Sequence, residues 1–149
     1  MRIDLITIFP EACHAWLDTS IVGRARRRGL AEIRAHDPRA WAGGRHRKVD
    51  DRPFGGGPGM VLAAPPIAGC LDAVLAQGVR PRLLMTSPQG RRLEQGWVRE
   101  LAQEEQLVVL CGHYEGIDQR IVDLYRPELF SVGDYVLSGG ELPALVLTD

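Results

Sequence analysis

The chain has 149 residues, 45% of them hydrophobic and 25% charged, with a formal net charge of −1. That length suits one domain burying roughly two-thirds of its unfolded surface, and the composition is ordinary for a globular protein. The longest stretch free of charge or strong polarity, Met60 to Leu71, is 12 residues and is broken by Pro65, Pro66 and Gly69, which excludes a membrane span there; Asp4 and Glu11 interrupt the N-terminus before a signal-like apolar run forms, so the expected location is the cytoplasm.

Arg2 to Ile8 alternates around Ile3, Leu5 and Ile8 and predicts a strand. Pro10 suits the first turn of a helix whose apolar side carries Cys13, Trp16 and Leu17. Ser20 is expected to cap a second helix, Ile21 to Arg28, closed by Gly29. Ala31 to His36 predicts a strand. Asp37 to Gly59, rich in Gly, Arg and Asp, reads as a long irregular excursion, and a loop of that length inside a compact domain is usually functional or disordered. Pro65 and Pro66 lead into a helix carrying Ile67, Leu71, Val74 and Leu75 and stopped by Gly78. A strand at Arg82 to Thr86 runs into the loop Ser87 to Arg92. Then come a helix from Leu93 to Gln103, a strand from Leu107 to Cys111, a helix from Ile117 to Tyr125 and a last strand from Leu129 to Val132. This alternation argues an α/β fold with a parallel sheet covered by helices on both faces, in one domain spanning the chain.

Charge is unevenly spread. Between Arg24 and Arg52 stand ten basic and four acidic residues, a local excess of six positive charges, so the remainder carries −7. A clustered basic segment in a near-neutral chain suggests contact with a polyanion such as RNA. Cys13, Cys70 and Cys111 lack C-x-x-C spacing and read as small buried hydrophobes rather than a disulfide framework or zinc site. His14, His36, His46 and His113 show no metal-binding spacing, so no metal is expected; only His113 falls in a candidate site loop.

Two loops stand out. Ser131 to Glu141, S-V-G-D-Y-V-L-S-G-G-E, holds three glycines that neither a strand nor a helix interior favours, and reads as a backbone-lined loop entering a helix at Glu141. Cys111 to Asp118, C-G-H-Y-E-G-I-D, follows the apolar run Leu107 to Leu110 in the same way. With Ser87 to Arg91 they make three loops at strand ends, which predicts a ligand crevice at the carboxyl edge of the sheet, suited to an adenosine moiety. The Asp50 to Met60 segment, D-D-R-P-F-G-G-G-P-G-M, is neither a P-loop, for want of G-K-[ST], nor a dinucleotide fingerprint, because no apolar strand precedes it. Its glycines permit close backbone approach to a flat base or a phosphate, with Arg52 beside them for anion pairing.

The motifs at Asp50 to Met60, Cys111 to Asp118 and Ser131 to Glu141, in that chain order, resemble the bacterial tRNA (guanine-N1)-methyltransferases, a family of the knotted (SPOUT) methyltransferase class, and the similarity runs from M-R-I-D-L-I-T-I-F-P to E-L-P-A-L-V-L-T-D. The resemblance implies S-adenosylmethionine-dependent methylation of guanine N1 at the tRNA position 3′ of the anticodon. It implies a deep trefoil knot at the cofactor site and a homodimer whose active sites span the interface. By it, Pro88, Gly112, Val132, Gly133, Asp134, Tyr135, Val136, Leu137, Gly139 and Gly140 bind the cofactor, and Glu115 lies near its methionine end. Valine at Gly140 or Gly133 is then expected to fill space that the cofactor needs while sparing the fold. Arg52, Gly55, Gly56, Gly57 and Gly59 bind the target guanosine, with Asp50 beside them. Asp50 and Glu115 are the candidate catalytic acids. The family's main general base falls in a C-terminal tRNA-binding region beyond Asp149, and Asp149 itself matches no catalytic position. The chain as given is therefore expected to bind cofactor with little or no turnover. Two alternatives are a non-catalytic nucleotide- or RNA-binding module and a knotted methyltransferase acting elsewhere on RNA, such as a ribose 2′-hydroxyl.

Overall fold

A computed structural model describes residues 1–77 and 80–149. Its centre is a parallel sheet with strand order β2-β1-β6-β5-β7, formed among the described residues by β1 (Arg2–Ile6), β2 (Glu32–His36), β5 (Arg82–Arg92), β6 (Gln106–Leu110) and β7 (Glu128–Ser131). Between β2 and β5 a two-residue ribbon pairs β3 (Asp50–Asp51) antiparallel with β4 (Val61–Leu62). The helices are α1 (Pro10–Leu17), α2 (Ser20–Arg27), α3 (Ala64–Leu75), α4 (Gln95–Leu101), α5 (Gln119–Tyr125) and α6 (Glu141–Thr148).

The period-two side-chain alternation divides the core between the two faces of the sheet. Ile3, Leu5, Leu107, Val109, Leu84 and Phe130 face Cys13 and Leu17 of α1, Trp97 and Leu101 of α4, and Ala144, Leu145 and Leu147 of α6. Ile6, Val108, Leu110 and Met85 face Ile67, Cys70, Leu71 and Val74 of α3 and Ile121 of α5. Strand β6 is buried along its whole length, as a central parallel strand covered on both faces must be. The expected α/β architecture is therefore present.

Several predicted boundaries move, each for a local reason. The ladder of β1 ends at Ile6, although Thr7 N–H still donates to His36 O at 3.0 Å. Trp16 is exposed rather than on the buried side of α1, because Cys13 and Leu17, one turn apart, form the stripe that meets the sheet. The N-cap of α2 is Thr19, not Ser20, and its hydroxyl turns back to donate to Trp16 O at 2.6 Å. Gly29 closes that helix as predicted: at φ +68° it donates to Arg26 O, and Leu30 N–H donates to Ala25 O. The Asp37 to Gly59 excursion is not wholly irregular, since it holds a 3-10 turn at Pro38–Trp41 and strand β3. Ser87 to Arg92, predicted as a loop, continues β5 with a register shift against β7 between Thr86 and Arg91. Helix α4 starts at Gln95 because Leu93 N–H is taken by Ser131 O at 2.8 Å. Helix α5 starts at Gln119, capped by the Asp118 carboxylate on Arg120 N–H. Strand β7 begins one residue early, at Glu128, and ends at Ser131. The predicted stop of α3 at Gly78 lies outside the described residues. Among the described residues no helix is long and apolar enough to cross a membrane, and no cluster of three or more His, Cys, Asp or Glu is placed to hold a metal.

Candidate ligand crevice

At the carboxyl ends of β6 and β7 the two glycine-rich loops meet the irregular middle of β5 around a half-open crevice of about 600 Å³, within the 300–1,000 Å³ usual for small-ligand sites. Its wall includes Thr86 to Gln89 from β5, Gly112 to Ile117 after β6, and Leu129 to Val132 with Tyr135 to Gly140 from β7 and its loop. Pro88, Gly112, Val132, Tyr135, Val136, Leu137, Gly139, Gly140 and Glu115 all line this crevice. Gly133 and Asp134 do not line the crevice: Gly133 is buried behind Tyr135 and Asp134 points to solvent. The lining alternates main-chain groups with apolar surface, the pattern that holds a flat heteroaromatic ring by hydrogen bonds at its edge and packing on its faces.

Close backbone approach builds this wall. Gly140 N–H donates to Gly112 O at 2.7 Å, and Gly112 N–H donates to Thr86 Oγ1 at 2.9 Å. A Cβ on Gly140 would overlap Thr86 Oγ1 and stand 2.6 Å from Gly112 N and 2.9 Å from Cys111 Cα. This corrects the expectation for Gly140→Val, whose side chain meets the protein's own backbone rather than ligand space. At Gly133 the added Cβ meets the Tyr135 ring, 2.8 Å from its Cζ, so there too the obstacle is protein. Thr86 was invisible in the sequence as a site residue. A buried threonine inside a strand gives no signal until the neighbouring loop is seen to donate to it.

A second polar cluster pins the two glycine-rich loops to β1. Thr7 Oγ1 donates to Glu141 Oε1 at 2.8 Å, and Glu141 Oε2 lies 3.8 Å from the buried Nδ1 of His113. His113 also forms an antiparallel bridge with Gly139 and packs edge-on against Phe9 and Tyr114. Nearby, burial raises the Cys13 thiol to about 11 and pushes Cys111 well above its ordinary value, in both cases helped by the Glu141 charge. Burial takes Cys70 to about 12. All three thiols are buried and shifted away from the thiolate form, so nothing marks them as nucleophiles.

The glycine-rich segment after β3 is brought to the same wall from outside. Glu115 N–H donates to Met60 O at 3.0 Å, Leu62 N–H to Gly116 O at 2.9 Å, and Asp118 N–H to Leu62 O at 2.9 Å. Gly59 presses on Glu115, where a Cβ would come within 2.8 Å of Oε1. Asp50, half-buried, pairs with Leu62, which bridges to Ile117, so it stands two ladder spacings, about 10 Å, from the crevice loop. Asp50, Arg52, Gly55, Gly56, Gly57 and Gly59 all lie outside the crevice lining, on the ribbon and turn beside it.

A crevice at the strand ends of a parallel α/β sheet is the usual place for a small ligand in folds of this class. The family model described as tRNA (Guanine-1)-methyltransferase TrmD matches residues 1–149, and the chain belongs to that family. It is 48% identical over its full length to the tRNA (guanine-N(1)-)-methyltransferase of Geobacter metallireducens, covering 61% of that protein. It is 53% identical to the protein of the same name from Xanthomonas oryzae pv. oryzae, covering 58% of it. Among solved structures, the tRNA (m1G37) methyltransferase of Aquifex aeolicus superposes with a TM-score of 0.88 at 37% identity, over the whole chain and 67% of that protein. The chain thus spans about three-fifths of the length of the curated relatives it matches.

Proposed function

We propose that the crevice binds S-adenosylmethionine and that the chain serves methyl transfer to N1 of a tRNA guanine, the nucleotide 3′ of the anticodon. The observation that carries this reading is the crevice itself, in a chain whose curated relatives are named for this reaction. The residues fit such a cofactor. The wall offers the main chain of Tyr135 to Ser138, apolar surface from Val132, Leu137 and Leu129, and a carboxylate at Glu115 for an amine or a sulfonium. When bound, the cofactor supplies an electrophilic methyl group.

The chain's own residues bind, orient and exclude water. Gly112, Gly139 and Gly140, drawn together through Thr86, hold the crevice open at a fixed width. Arg52 and the turn Gly55–Gly59 receive the guanosine from the ribbon side, with Gly133 packed behind Tyr135 in the last loop. Removal of the N1 proton needs a base, worth typically 10²–10⁴-fold. Glu115, on the crevice wall, and Asp50, about 10 Å from it by ladder spacing, are the acids nearest that task. Both are candidates to assist rather than the main base, so turnover by residues 1–149 alone is expected to be low.

The same reading includes a trefoil knot, a cytoplasmic location and a homodimer. The knot is inferred from membership of the family alone; β5 and β7 lie side by side as paired parallel strands. The dimer is supported by Leu142 and Val146, one turn apart on α6 and 62% and 58% exposed. The test is a calorimetric titration of the 149-residue chain with S-adenosylmethionine and with ATP, beside a tritium-methyl assay on unmodified tRNA. Cofactor binding that ATP does not match, with little turnover, supports the reading. Equal competition by ATP overturns it.

A further inference from the structure

We propose that Phe54, backed by Arg120, is a stacking platform for one unpaired base of the bound RNA, adjacent to the nucleotide that enters the crevice. The proposal rests on the RNA-methylation reading and assigns a surface outside the crevice lining. Phe54 is 82% exposed, more than any other large apolar side chain identified as exposed among the described residues. One cationic neighbour lies over its ring. The Arg120 guanidinium carbon lies 5.1 Å from the ring centroid. Arg120 is held in turn by Asp118, through Nε to Oδ1 at 2.9 Å and Nη2 to Oδ2 at 2.6 Å. A cation stacked on one ring face leaves the opposite face for a second flat group.

The surroundings select the kind of partner. Phe54 sits between Arg52–Pro53 and Gly55–Gly57, and a Cβ on Gly55 or Gly56 would meet nothing within 4 Å. An isolated aromatic ring amid glycines and arginines lacks the contiguous, charge-depleted apolar core that a protein interface needs. It does match the single-stranded nucleic-acid pattern of an aromatic face for a base with cations alongside for phosphate. Arg45, Arg47, Lys48 and Arg52, all exposed, lie on the same excursion. The main-chain bonds from Met60 and Leu62 to 115–118 fix the turn beside the crevice wall, so a base on Phe54 neighbours a base entering the crevice.

The experiment uses the 149-residue chain and an anticodon stem–loop hairpin carrying 2-aminopurine next to the target guanosine. Binding to the parent chain should quench the probe, as stacking does. Phe54→Ala and Phe54→Leu should each weaken hairpin affinity by roughly 5- to 100-fold and abolish the quench, while Phe54→Trp retains both. S-adenosylmethionine affinity should be the same in all four proteins. A Phe54→Leu or Phe54→Ala variant that binds and quenches like the parent overturns the platform and leaves the methyltransferase reading standing. A parent chain that binds cofactor but no hairpin overturns the platform, while the reading of the crevice is decided separately by the cofactor and ATP titrations. A change in sedimentation of Phe54→Ala without any change in hairpin binding assigns the ring to a contact between copies of the chain and overturns the proposal.

Discussion

Gly55, Gly56, Gly57 and Gly59 have φ between +82° and +124°, yet a Cβ on Gly55 or Gly56 would touch nothing within 4 Å. Gly140 is the reverse: its φ is −85°, open to any residue, but a Cβ there would strike Thr86 and the backbone of Cys111 and Gly112. The first region needs glycine for the conformation of its own backbone; the second needs it because another part of the chain passes too close. A conformational requirement is local, and an exposed turn relaxes to meet a substitution. A steric one is shared among β5, β6 and the last loop, none of which yields alone. Two segments that look alike in composition therefore differ in what a mutation does to them.

The largest effect expected is at Gly140. Gly140→Ala should destabilise the protein by about 3 kcal/mol or leave it unfolded, since the obstacle is backbone in a packed site. Thermal denaturation followed by circular dichroism measures this, and a variant as stable as the parent would erase the distinction between the two regions. Thr86→Val keeps the shape but strands the Gly112 N–H, at a cost of about 1–3 kcal/mol; Thr86→Ser should recover most of it. Cofactor titration of the same pair should show Thr86→Val weakened and Thr86→Ser near normal, because the hydroxyl sets the position of the Gly112 main chain.

Gly56→Ala should cost only about 1 kcal/mol, from the left-handed backbone alone, and leave cofactor affinity unchanged. A loss as large as that at Gly140 would show that the turn is packed rather than free. The smallest effect concerns Asp118, which joins the regions by capping α5 and holding Arg120. Hydrogen bonds from Arg120, opposed by burial, keep its carboxyl below the usual range. Its folded value is depressed, so its contribution is complete above about pH 4, the unfolded value, and is lost as pH falls through the lower folded one. Asp118→Asn retains a capping oxygen but not the charge, so urea midpoints measured from pH 5 to pH 2 should fall less steeply than the parent's. Parallel curves would remove Asp118 as the link.

Much of this molecule was open to inference from residue order. Alternation in Ile3–Leu5, the continuous apolar run at Leu107–Leu110 and the closing glycine at Gly29 are local signals, because side-chain periodicity and backbone propensity act over a few residues. They yielded the α/β alternation, and the clustering of glycine at strand ends marked the crevice. What stayed hidden depends on residues far apart in the chain. Thr86 accepts from Gly112, Thr7 reaches Glu141, and Gly140 touches Thr86 across separations that no periodicity encodes. The same limit moved Ser87–Arg92 from loop to strand, since extended pairing there exists only because β7 runs alongside. Local chemistry specifies which elements form and where the chain turns; which turns meet, and how closely, is decided when the sheet brings their backbones together.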